Sequence, residues 1–314
     1  MLKKTVVRCA LFCTVLLLAL SANATTVATR TFGVAVGGSL VVDTDIGSIQ
    51  VSTTASTSVE VVVEGSGRRL EELEVEMSEN EGTVTVVGDF PGKQVWGRKP
   101  RVRFEISIPR EFDIDLRTAG GSIRVGDLVG EARVKTSGGS LDLGEIDGPV
   151  WGRTSGGSIR VDGCTQAVDV HTSGGSITIG DVVGDLKAHT SGGSISLGEV
   201  GGDIEARTSG GSVRIAAAGG TVNATSSGGS VTAVLTGQPS GDCQLKTSGG
   251  AVHVTIAEHL SLDISATCSG GRVNSDLQLT DVEQSKRSLR GALNGGGPDL
   301  VLHTSGGGVT IEGG

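Results

Sequence analysis

The chain has 314 residues, of which 52 are glycine; aromatic residues make up 2%, tyrosine is absent and the formal net charge is −9. A surplus of acid excludes a general binder of nucleic acid or anionic lipid, because neutralising phosphates takes clustered Lys and Arg. The glycine load argues against a helical protein and leaves Val, Ile, Leu and Ala to build the core.

The first residues carry Lys3, Lys4 and Arg8, then the apolar run CALFCTVLLLAL, then Ala22-Asn23-Ala24. A charged start, an apolar middle and a small-residue cleavage site predict a secretory signal over residues 1–24. Cleavage there removes three positive charges and moves the net charge from −9 to −12. No later apolar stretch is long enough to span a bilayer, and neither Cys9 nor Cys13 is placed for a lipid anchor. The expectation is an exported, soluble protein of the periplasm, cell surface or extracellular space, with no transmembrane segment in the mature chain. Three cysteines then remain, Cys164, Cys243 and Cys268, which is no disulfide framework.

Residues 25–117 form an irregular, β-rich segment expected to cap the protein. The runs SVEVVVEG, LEVEM, TVTVV and VRFEISIP alternate as strands do. Within the same segment, TDIGSIQV at residues 44–51 is a worn copy of the phrase that dominates the rest, so the first coils are expected to begin there.

From residue 118 the chain repeats. Thr118, Thr136, Thr154, Thr172, Thr190 and Thr208 follow one another at 18 residues, and Ser226 takes the next slot. Later copies stand at Thr247, Cys268 and Thr304, after intervals of 21, 21 and 36. With each corner threonine as position 1, positions 6 and 8 are apolar (Ile159 and Val161, Ile177 and Ile179), as are 15 and 17 (Leu186 and Ala188) and 11 (Ile146, Cys164, Val182). Period 2 within each copy means strands. The Ser-Gly-Gly at positions 2 to 4 reads as a corner, where glycine serves positive φ or close approach of coils. A coil of 18 residues cannot bury enough to stand alone, so the copies must stack. The predicted fold class is all-β, a single-stranded β-helix or β-solenoid of right-handed winding, with 18-residue coils over residues 118–314 and β-rich N- and C-terminal caps. About ten coils at about 4.8 Å each are expected.

The sequence FEISIPREFDIDLRTAGGSIRVGDLVGEARVKTSGGSLDLGEIDG, with SGGRVNSDLQLT and LRGALNGGGPDLVLHTSGGGVTIEG after it, resembles DUF4097, a family of bacterial envelope β-strand repeat proteins called "putative adhesins". The likeness runs from about residue 33 to the end. It implies a β-helix exported to the cell envelope and brings no catalytic residues with it.

Several columns are candidates for chemistry. Position 18 reads Arg117, Lys135, Arg153, His171, His189 and Arg207, a basic row spaced by one coil that suits a repeating anionic polymer of the envelope. The competing reading pairs these cations with acids such as Asp169 and Glu205. Acids stack at position 10 (Asp127, Glu145, Asp181, Glu199) and position 14 (Glu131, Asp185, Asp203), either as a solvated face or as a loose divalent-cation site. Calcium of the nonapeptide-repeat type is not expected, because Ile123 and its equivalents fall where a ligand should be. His171 and His189 sit one coil apart with no evident third zinc ligand. Serines and threonines recur without a paired base, and Cys164 and Cys243 align with core positions. No catalytic, cofactor-binding or metal residue is therefore assigned, no cofactor is expected, and the protein partner is left unspecified, with nucleic acid excluded.

Three functions remain open. The first is a non-catalytic adhesin or structural and interaction module presenting a repetitive rod surface. The second is a polysaccharide-active β-helix enzyme, a lyase or hydrolase, which would want aromatic platforms; the sequence supplies Trp96 and Trp151. The third is an envelope-stress accessory that binds a membrane partner.

Overall fold

A threonine every 18 residues needs a neighbour one coil away to satisfy its buried hydroxyl, and that requirement sets the architecture. In the computed structural model, which describes residues 24–90 and 100–314, Thr190 is buried. Its Oγ1 donates to the carbonyl of Gly175 in the preceding coil at 2.8 Å and accepts the N–H of Gly193 in its own coil at 3.3 Å. The same pair of bonds recurs at Thr136, Thr154, Thr172, Thr208, Ser226, Thr247 and Thr304. The glycine at position 4 is there for closeness. A Cβ on Gly139, Gly157, Gly175 or Gly193 would collide with the carbonyl of the equivalent glycine one coil before. None of these four is among the glycines with positive φ. The serine at position 5 completes the corner: Ser158 Oγ accepts the N–H of Ser176 at 3.2 Å, and Ser176 Oγ that of Ser194 at 3.3 Å.

Each coil contributes one strand to each of two parallel sheets. The register is the 18-residue alignment itself, with Ile159 opposite Ile177 and Ile177 opposite Ile195 on one sheet, and Val168 opposite Leu186 and Leu186 opposite Ile204 on the other. Positions 6, 8 and 11 of one sheet face positions 15 and 17 of the other, and all are buried; Leu186, Ala188, Ile195 and Val200 are 0–1% exposed. Cys164 and Cys243 lie in this core as free thiols, and burial pushes both up from the ordinary thiol range. They act as small apolar residues.

The two ends depart from chain order. At the N-terminal end the coil of Gly38–Thr44 and Ser48–Thr54 pairs on one side with the Thr118 coil. On its other side lies the coil made by Thr83–Asp89 and Arg101–Pro109, so the earlier segment is sandwiched between two later ones. Antiparallel strands then close the end: Ser58–Ser66 and Thr25–Gly33 over one sheet, Glu74–Asn80 over the other. Phe90, Phe104 and Phe112 are 0–1% exposed and fill this end.

At the C-terminal end the order is inverted again. The coil of Asp299–Thr304 and Val309–Gly313 inserts between the Thr247 coil (Cys243–Thr247, Val252–Ile256) and the Cys268 coil (Leu262–Cys268, Val273–Ser275). Ser288–Leu293 and Thr280–Gln284 form an antiparallel cap beyond it.

The described residues thus hold twelve stacked coils, more than the ten expected, because the Thr83–Asp89 coil and the Thr44 copy both belong to the stack. A glycine, Gly88, stands in the corner slot of the first, and no threonine marks it. The stack is roughly 50 Å long at about 4.8 Å for each coil. The secretory signal read in residues 1–24 lies, but for Ala24, outside the described residues.

The corner makes a direct prediction. Thr190→Val leaves the Gly175 carbonyl and the Gly193 N–H unpaired in a buried place, and is expected to lower the unfolding free energy by about 1–3 kcal/mol. Thr190→Ser, which keeps the geometry Ser226 already uses, should cost less than about half of that. Gly193→Ala should be worse than either, because backbone must move; urea unfolding curves of the three variants rank them.

Candidate functional site

An alternating strand in a stack places every second side chain outside, one coil apart, so the outer face of a sheet is a set of straight rows. On the sheet built from positions 15 to 18, the outward residues are those at 16 and 18. The register places Arg117 beside Lys135, Lys135 beside Arg153, Arg153 beside His171, His171 beside His189, and His189 beside Arg207. The six residues therefore form one continuous row. It continues through Thr225 to Lys246 and His303.

The neighbouring row at position 16 decides how much of that charge is free. Arg117 is forked onto Asp115, with its nearest approach at 2.7 Å, and Arg207 meets Glu205 at 2.9 Å. Arg153 reaches across to Asp169 with two parallel bonds of 2.9 Å while its guanidinium lies 4.7 Å from the Trp151 ring centroid. That cluster is self-satisfied: the planar fork meets a carboxylate and the cation covers the indole. Trp151 is 37% exposed but shares its face with Arg153, which removes the open aromatic platform a sugar ring would use. Trp96 lies outside the described residues.

Lys135, His171, His189 and Lys187 make no ion pair among the described residues. Lys187 was not singled out by the sequence reading. It lies beside Asp169 and Glu205 in the position-16 row, and comparing that row as a column is the signal that finds it. Lys135, His171 and Lys187 are exposed and His189 is half-buried. The two imidazoles stand 6.0 Å apart, centroid to centroid, tilted by 32°. Among the described residues no third His, Cys, Asp or Glu joins them in a metal-binding group.

The acidic columns have a role that charge counting did not suggest. Asp127 Oδ1 accepts the N–H of Glu145 at 3.0 Å, and Asp181 that of Glu199 at 2.9 Å. At position 14, Asp185 accepts the N–H of Asp203 at 2.9 Å and Asp203 that of Thr221 at 2.8 Å. Each of these four aspartates caps a backbone donor of the next coil at a bend where the ladder is interrupted.

The opposite sheet carries a different pattern. Arg124 and Asp142 pair at 3.1 Å across one coil, and Arg160 pairs with Asp162 at 2.8 Å. Arg103, Arg124, Asp142 and Arg160 border a shallow depression of about 400 Å³ that gathers no nucleophile and base together. Among the described residues no helix is long and apolar enough to cross a membrane.

Burial gives one titration a definite direction. His189 is pushed below the ordinary imidazole range first by desolvation, with Arg207 and His171 acting the same way and Glu205 and Asp169 opposing. The unfolded chain therefore takes up this proton at a higher pH than the folded one. Stability contributed by neutral His189 is present above the unfolded value, about 6.5, and falls as pH drops through it towards the depressed folded value. His189→Gln should lose less stability than the parent between pH 7.5 and 5.5, as read by denaturation midpoints at the two pH values.

Comparison with known proteins places the chain. The Toastrack DUF4097 family model matches residues 38–312. No curated protein matches the sequence. Among solved structures, a "putative adhesin" from Bacteroides fragilis is 13% identical, with 93% of this chain and 98% of that chain covered and a TM-score of 0.37. A "putative adhesin" from Parabacteroides merdae is 11% identical over 93% and 97%, at a TM-score of 0.32. A "putative lipid binding protein" from Parabacteroides distasonis is 13% identical over 93% and 97%, also at 0.32. At these identities and scores none of the three bears on what this chain binds.

Proposed function

The chain belongs to the Toastrack DUF4097 family, and from that footing we propose that it is a non-catalytic module of the cell envelope, a stiff rod that presents repeated rows of side chains to a polymer or protein partner. The supporting observation is the even spread of chemistry. Outward residues change row by row, and no coil among those described gathers a nucleophile, a base and an orienting acid.

The contact face in this reading is the basic row, Arg117, Lys135, Arg153, His171, His189 and Arg207, with Lys187 beside it. Its members divide the work. Arg117, Arg153 and Arg207 hold Asp115, Asp169 and Glu205 and keep the row straight. Lys135 and Lys187 carry charge that no ion pair among the described residues takes up, and with the exposed His171 ring they face an anionic polymer. On a chain with a net charge of −9 such a patch is local, so binding is weak at each point and strengthened by repetition along the rod. Export to the envelope is part of the same reading and is supported by the leader-like residues 1–24. A polysaccharide-active enzyme is the second reading, supported only by the fold class. The covered face of Trp151 speaks against it.

The test uses immobilised polygalacturonate as the acidic polymer. The parent chain should be retained at low salt and released as salt rises, and the triple variant Lys135→Gln, His171→Gln, Lys187→Gln should lose most of its retention. Arg124→Gln with Arg160→Gln, on the other sheet, should be retained like the parent. Equal retention of all three would remove the assigned face. Release of reducing sugar from the polymer would move the protein to the second reading.

A further inference from the structure

The coil latest in the sequence is not last in the stack. Asp299–Thr304 and Val309–Gly313 lie between the Thr247 and Cys268 coils and hydrogen-bond in parallel on both sides, with Leu300 opposite both Cys243 and Ile264, and Val309 opposite both Val252 and Val273. Leu300, Leu302, Val309 and Ile311 are fully buried there. The Cys268 coil and its cap hairpin precede this segment in sequence yet lie beyond it in space. Until residues 299–313 arrive they have no neighbour in the stack, and an open slot faces the Thr247 coil.

The slot is poorly suited to closing on itself. Thr304 Oγ1 donates to the Gly250 carbonyl at 2.6 Å, the corner bond that every coil from Thr118 onward except the Cys268 coil makes towards its neighbour. The coil that would have to take its place carries Cys268, which has no hydroxyl to offer. Direct closure therefore leaves Gly250 without its corner donor. Asn294, Gly295 and Gly296 connect the cap to the inserting coil, and all three have positive φ, at 52°, 90° and 84°. A turn with two glycines at its centre re-aims readily.

We propose that this slot is a socket between copies of the chain: when chains fold together, residues 297–314 of one copy fill the slot of another, and two rods join by reciprocal exchange. The segment's bonds go to backbone, to the repeated corner and to the side chains of Asp242, His253, Asp263, Thr267 and Asp276. A second copy carries the same partners, so an identical segment makes the same bonds there. Association by simple end-to-end pairing is disfavoured on the same sheet. Its two outer edges, Glu74–Asn80 and Thr280–Gln284, both bear acids, Glu74, Glu76 and Glu79 on one and Asp281 and Glu283 on the other. Exchange at the socket avoids that opposition of acids.

Gln244 and Val301 are outward neighbours across the joint, as are His253 and Thr310 on the other sheet. Gln244→Cys and Val301→Cys, made in separate chains lacking residues 1–24, are mixed in denaturant, diluted to refold and oxidised with glutathione disulfide. Exchange predicts a disulfide-linked heterodimer on a non-reducing gel, absent when either variant is refolded alone. Its fraction should rise several-fold for a tenfold rise in protein concentration. His253→Cys mixed with Thr310→Cys repeats the test should the first pair refold poorly, as judged by circular dichroism. The proposal is overturned if mixed single variants give no heterodimer at any concentration while the double variant Gln244→Cys, Val301→Cys in one chain closes an internal disulfide.

Discussion

Every coil of this protein is completed by the coils on either side of it. An 18-residue turn buries about five apolar side chains, which cannot offset the ordering of its backbone. In-register stacking supplies what is missing, because the coil on each side provides both ladder donors and ladder acceptors, and the two together seal the interior. The corner threonine expresses this dependence in a single atom. Thr190 Oγ1 is satisfied by one glycine of its own coil and one of the coil before. Removing a neighbour strands a carbonyl and a hydroxyl together.

A stack built this way has a problem only at its ends, and the two ends solve it alike. Each places a coil out of chain order: Gly38–Thr44 with Ser48–Thr54 at one end, Asp299–Thr304 with Val309–Gly313 at the other. Each then turns to antiparallel strands as the final layer. An out-of-order coil ties the cap to the body, since the cap cannot leave without the intervening coil losing a partner. The apolar interior is covered by Phe90, Phe104 and Phe112 at the N-terminal end, where the repeat is least regular.

Much of the body was legible because its columns are nearly pure. Ile159, Ile177 and Ile195 at one position, and Thr154, Thr172 and Thr190 at another, state the register without help from any other information, and the basic row of positions 117 to 207 is one row in space as it is in the alignment. What resisted reading was rank in the stack. The copy at Thr304 looks like any other, and intervals of 21 and 36 residues report only that something lies between. Any coil edge offers the same ladder to any other, so order is decided by loops and corners such as Cys268, whose missing hydroxyl is a small signal. The acid columns kept part of their role hidden for a related reason: Asp127 and Asp185 are exposed, as a solvated face would have them, and nothing in their spacing says that each also caps the N–H of the next coil. The coil at Gly88 carried no corner hydroxyl at all.

The most direct measurement is native-state amide hydrogen exchange resolved by residue. Stacking by neighbours predicts that the amides of Leu300 to Thr304, near the end of the sequence, are as protected as those of Gln244 to Thr247, while the edge strand Thr280–Gln284 exchanges many times faster. Exchange of residues 300–304 at the rate of that edge strand would mean that they form an outer layer, and the account of coils completed on both sides would be contradicted.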